Sequence, residues 1–181
     1  MNSEVTSKKF YTAWKTIVEE RKREIVSLWN DDLKAYTNLV IGSDNSIVLN
    51  VAKLLGLHCY NSDYYSIDSI FYCDEDLVPG IQPDTWWFRD IRIAFENENN
   101  FDSGLFQEVS HLLITDCDLR VLVTYPNGRK EQEMEYLHKV ISGNRSSKIM
   151  SEKENVLLIF GYGDPYRWEG HVYKEDGWKA V

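Results

Sequence analysis

Three carboxylates carry the strongest chemical signal in this chain. Glu96 and Glu98 close the segment WWFRDIRIAFENEN, in which Ile91, Ile93 and Phe95 alternate with Arg92, Ala94, Glu96 and Glu98. A period of two belongs to a strand, and it puts both glutamates on one face. Asp68 lies earlier, inside IDSIFY, an apolar run of β-branched and aromatic residues that also reads as a strand. Carboxylates at the ends of neighbouring strands can converge on one hard divalent cation, which takes oxygen ligands and keeps several waters. Such a cation neutralises charge on a phosphate and acidifies a water, so the chemistry implied is phosphodiester hydrolysis. The competing reading makes Glu96 and Glu98 the solvated face of an antiparallel strand. Asp68 argues against it, because an acid is unexpected in a strand covered on both faces.

The remaining candidates carry less. Glu24 sits at the margin of an apolar stripe and is a candidate fourth acid. Gln107 and Glu108 follow the acidic strand and can face the same cleft. None of the four histidines (His58, His111, His138, His171) has a paired metal spacing such as HxxxH, and His111, set between apolar positions, reads as structural. GYGD at 161–164 is a turn with no following lysine, so it is no phosphate loop. Cys117 has no local histidine and reads as a core thiol. Trp86, Trp87 and Phe88 cannot all enter one core from a strand. One of them is expected at the surface, to stack on a base or to sit in a protein interface.

Around these residues the elements can be placed. Residues 10–36 carry Phe10, Trp14, Ile17, Val18, Ile25, Leu28 and Trp29 at helical spacing, with EERKRE as the outer face. This predicts one long helix, broken around Asn30. A second helix follows Gly42, capped by Ser43, Asp44 or Asn45 and stopped by Gly56. A short strand over 57–60 turns at 61–63 into the Asp68 strand, and 74–85 is a loop rich in turn residues. After the acidic strand, Asp102 or Ser103 caps a helix with Leu105, Phe106, Val109, Leu112 and Leu113 inward. Strand 119–125, helix 129–141 and strand 156–162 form a crossover unit. A last strand runs over about 168–173. The fold class expected is α/β, a mixed central sheet flanked by helices.

The 181 residues suit a single domain, 1–181, with a core over about 10–162 and a C-terminal strand extension over 163–181. A hydrophobic share of 43 % and an aromatic share of 13 % exclude disorder. The longest apolar run, at 156–160, is far too short for a membrane span, and the charged N-terminal segment shows no secretory signal. Three scattered cysteines without CxxC spacing suit a reducing compartment, cytoplasmic by default. Net charge is −9. Contact with a nucleic-acid backbone draws on Lys and Arg, so this charge disfavours a nucleic-acid partner unless a bound cation or basic patch offsets it. A protein partner is the alternative.

Ile67-Asp68-Ser69-Ile70, then Ile93-Ala94-Phe95-Glu96-Asn97-Glu98, then the following helix and strand 119–125 together resemble the PD-(D/E)XK nuclease superfamily. The resemblance covers roughly residues 10–125 and implies a restriction-endonuclease-like fold. It implies Mg²⁺ (or Mn²⁺) held by Asp68 and Glu96, with an extra acid on the first helix, which Glu24 matches. Glu98 stands where the family usually has Lys, so the resemblance assigns it as ligand or as the base accepting a proton from water. No lysine occurs between Lys53 and Lys130. Asp68, Glu96 and Glu98 are thus the expected catalytic and metal-binding set. A catalytically silent protein of the same fold that binds a protein partner is the alternative.

Overall fold

A computed structural model describes residues 5–29, 31–101 and 104–181. Seven strands form one mixed sheet in the order β1-β2-β3-β4-β5-β6-β7: His58–Tyr60, Ser69–Tyr72, Ile93–Glu98, Leu119–Thr124, Val156–Gly163, Tyr166–Lys174 and Gly177–Ala180. β1, β2 and β3 are an antiparallel meander, β3, β4 and β5 are parallel, and β6 and β7 return antiparallel. The C-terminal segment therefore completes the same sheet and adds a strand, β7, that sequence periodicity missed.

Helices cover both faces, giving three layers. On one face α1 (Ser7–Glu20), α2 (Lys22–Leu28), α3 (Leu33–Thr37) and α4 (Ile47–Leu55) pack on Phe71, Ile93, Phe95, Val121, Val123 and Ile159. On the other, α5 (Leu105–Ile114), α6 (Lys130–Ser142) and α7 (Ser147–Lys153) pack on Ile70, Ala94, Leu122, Leu158 and Phe160. Both faces of β3 and β4 are buried, as suits the apolar run 121–123.

Several expectations are corrected. The N-terminal helix breaks at Arg21, well before the expected point. Its guanidinium reaches the Asn45 carbonyl and Glu24, and a stretch without apolar residues separates Val18 from Ile25. Asn30 lies outside the described residues. α4 begins after Ser46, not at residues 43–45, and ends as expected on Gly56 in the left-handed region. The capping positions Asp102 and Ser103 lie outside the described residues, and Gly104 precedes α5. Phe106 points outward, because α5 turns its Leu105, Val109 and Leu112 stripe to the sheet. α7 was not anticipated; its seven residues bury only Met150 and Ser151, too little for a periodic signal.

α1 crosses the sheet through Phe10, Trp14 and Ile17. Trp14 is fully buried against Phe95 and Trp168, with ring centroids 5.7 and 5.4 Å away. Trp14→Ala is expected to lower stability by ~3–5 kcal/mol, read from the urea midpoint. Trp14→Phe should cost less, since it also removes an indole N–H that has no partner.

Candidate functional site

The acids gather where β2 and β3 stop pairing. The last paired residues are Ser69 and Phe95, so one further step sets Asp68 beside Glu96. There side chains take over from the main-chain ladder. The Asp68 N–H donates to Glu96 Oε2 at 3.2 Å, and the Asn97 N–H donates to Asp68 Oδ2 at 2.8 Å. Asp68 is aimed by a tight hairpin in which Tyr64 and Ile67 bridge and Tyr65 and Ser66 take positive φ. The Ser66 N–H is held by Asp63 Oδ1 at 2.7 Å.

Glu96 is only 1 % exposed. Its Oε1 has no hydrogen-bond partner, and the nearest basic atom is His111 Nδ1 at 3.7 Å. Glu108 Oε2 lies 3.5 Å from the same nitrogen. One ligand atom each from Glu96, Glu108 and His111 falls within 4.8 Å of the others, which makes this trio able to hold a metal ion. α5 supplies the last two from one face, three residues apart. Arg120 pins the end of that helix, donating to the carbonyls of Leu112 at 2.9 Å and Thr115 at 2.7 Å.

Glu98 shares the face of Glu96 but is turned to other work. Its carboxylate accepts the Asn100 N–H and lies against Gly104, where a β-carbon would collide with it. It shapes the loop into α5 and stands outside the trio. Glu24 lies on α2, exposed and paired with Arg21 at 2.7 Å. Gln107 is exposed, whereas Glu108 joins the cluster. His111, read from sequence as structural, stands beside Glu96. The Glu108–His111 spacing was the available signal, hidden by the apolar neighbours of His111. Trp86 and Trp87 are both exposed, while Phe88 packs between Tyr64 and Tyr72. No protein family matches this chain, and no curated protein matches its sequence.

Electrostatics follow from burial. Loss of solvent raises the Glu96 pKa strongly, and Asp68 and Glu108 raise it further. Burial also lifts Asp68, against the stabilising Asn97 N–H, to about 6. Glu98 is raised for the same reason. Asp68 is one wall of an open cleft of about 770 Å³, with Lys34 of α3, Asn38 and Asn61 among the others.

These shifts have a defined sign. A carboxyl whose folded pKa exceeds its unfolded value binds protons more tightly when folded, so stability falls as pH rises between the two. For Asp68 the window runs from 3.8 to about 6. Across it the metal-free protein is expected to lose on the order of 2–3 kcal/mol relative to Asp68→Asn. Chemical denaturation of both proteins at pH 4 and pH 7 in EDTA measures the difference. An equal change in the two would show that Asp68 is not held in a desolvated site.

Proposed function

We propose that this chain is a divalent-metal-dependent nuclease or nuclease-like protein with a restriction-endonuclease-like fold, hydrolysing phosphodiester bonds in nucleic acid. The observation that carries the reading is the buried Glu96 carboxylate, whose Oε1 has no hydrogen-bond partner, whose Oε2 accepts the Asp68 N–H, and which groups with Glu108 and His111. The element order supports it: an antiparallel meander carrying Asp68 and Glu96, a helix, then a strand parallel to the third.

The donor set fits Mg²⁺ or Mn²⁺. Carboxylate oxygens suit both, and the imidazole nitrogen tilts the set toward Mn²⁺. When bound, the cation neutralises phosphate oxygens and lowers the pKa of a water. Glu96, Glu108 and His111 would hold it, and Asp68 fixes Glu96 through its own N–H. Lys34, which lines the same cleft as Asp68, would bring the positive charge that residues 54–129 lack in lysine. Glu98 maintains the loop over this end of the sheet. A net charge of −9 makes the cation the principal attraction for a polyanion at this site.

The test is cleavage. Purified protein with Mn²⁺ or Mg²⁺ is expected to cut at least one of plasmid, single-stranded DNA and RNA, and Glu96→Ala should abolish it. His111→Ala should weaken Mn²⁺ binding at least ~10-fold in calorimetry. The wild type should gain about 2.7 kcal/mol of stability at a hundredfold metal excess over Kd. Intact substrates at high protein and low salt would defeat the nuclease reading and leave a catalytically silent protein of this fold that binds a protein partner. The missing lysine favours that second reading.

A further inference from the structure

A second cavity, of about 210 Å³, opens at the same end of the sheet as the acid cluster. Trp29, Tyr36 and Tyr125 line it together with Asn99, Asn100 and Asn127. The three rings stand nearly perpendicular to one another, at 78°, 87° and 84°, with centroids 5.3–5.5 Å apart. They make a corner, in which a flat guest lying on one ring meets the edges or faces of the other two. No Asp, Glu, Lys or Arg is among the described residues lining it, so the cavity suits an uncharged guest.

Its polar groups point to the same kind of guest. Tyr36 is only 4 % exposed, and its hydroxyl lies beside that of Tyr125. The paired hydroxyls put a polar spot among the rings, which the edge of a guest could meet. Carboxamides offer a donor and an acceptor side by side, the pattern that reads a base edge. The Asn99 amide is held in place by its hydrogen bond to Thr37 Oγ1 at 2.7 Å.

Position relates this cavity to the acids. The Tyr125 hydroxyl donates to Asn97 Oδ1 at 2.6 Å, and the N–H of the same Asn97 donates to Asp68. Asn99 lies three residues beyond Glu96, about 10 Å along an extended chain. We propose that this aromatic and carboxamide pocket binds one unstacked nucleobase of the substrate strand, holding the attached backbone against the Asp68–Glu96 end of the sheet. Stacking on aromatic rings together with edge contacts from amides is how proteins hold splayed single-stranded bases. The proposal rests on the nuclease reading for its substrate class, and not on the metal trio for its geometry.

The experiment uses the full chain without metal. Adenosine, guanosine, cytidine and uridine are titrated, with ribose 5-phosphate as the probe lacking a base, following tryptophan fluorescence and the side-chain amide resonances of Asn99, Asn100 and Asn127. At least one nucleoside is expected to shift these signals saturably, while ribose 5-phosphate does not. Tyr36→Phe and Asn100→Ala should each weaken that binding severalfold. Trp29→Leu should weaken binding of a single-stranded octanucleotide about tenfold, with circular dichroism confirming its fold. Saturable nucleoside binding without any cleavage would support the pocket while the hydrolytic reading fails. Cleavage that proceeds with unchanged octanucleotide affinity in Tyr36→Phe, Asn100→Ala and Trp29→Leu would overturn the pocket and leave hydrolysis standing. Equal shifts from ribose 5-phosphate would overturn it as well.

Discussion

A carboxylate withdrawn from water at the end of a central strand must be neutralised by a proton or a cation, and the surroundings of Glu96 are arranged around that requirement. Its partner on β4 is the apolar Leu122. One oxygen is satisfied by the Asp68 N–H, and the other faces His111 without a hydrogen bond. Asp68 cannot relieve the burial, because it is itself an acid whose carboxylate is tied to Asn97. Burial and the neighbouring acids favour the protonated form of Glu96. A cation held by Glu96, Glu108 and His111 would relieve the repulsion among these acids.

The sheet topology explains why this happens here. β3 pairs antiparallel with β2 on one side and parallel with β4 on the other. The parallel crossover carries the chain through α5, which returns Glu108 and His111 to the end of β3. The hairpin before β2 brings Asp68 to the same end from the opposite direction. The acids therefore gather at the carboxyl end of β3. The aromatic corner of Trp29, Tyr36 and Tyr125 lies over the same edge, walled by the turn after α2, by α3 and by the residue following β4.

Much of the architecture was readable because it follows from local pattern. Alternation in IRIAFENE assigned a strand and set Glu96 and Glu98 on one face. The apolar stripes placed α1, α4, α5 and α6, and Gly56 ended α4 as its left-handed conformation allows. IDSIFY assigned an acid to the margin of a buried strand. These readings need only the repeat distances of helix and strand and the turn chemistry of a few residues.

Other features have no local signature. The break at Arg21 depends on a carbonyl of Asn45, brought near only by the packing of α1 against α4. β7 is recognisable as a strand only beside β6. Glu98 shared the parity of Glu96, but the Asn100 N–H and the close approach of Gly104 claim its carboxylate, whereas Glu108 and His111 arrive from another element. Sequence periodicity thus determined most of the strands and helices and set Glu96 and Glu98 on one face. Only the tertiary structure decided which acids meet, because convergence depends on where crossovers and hairpins return the chain, and no short window of residues carries that distance.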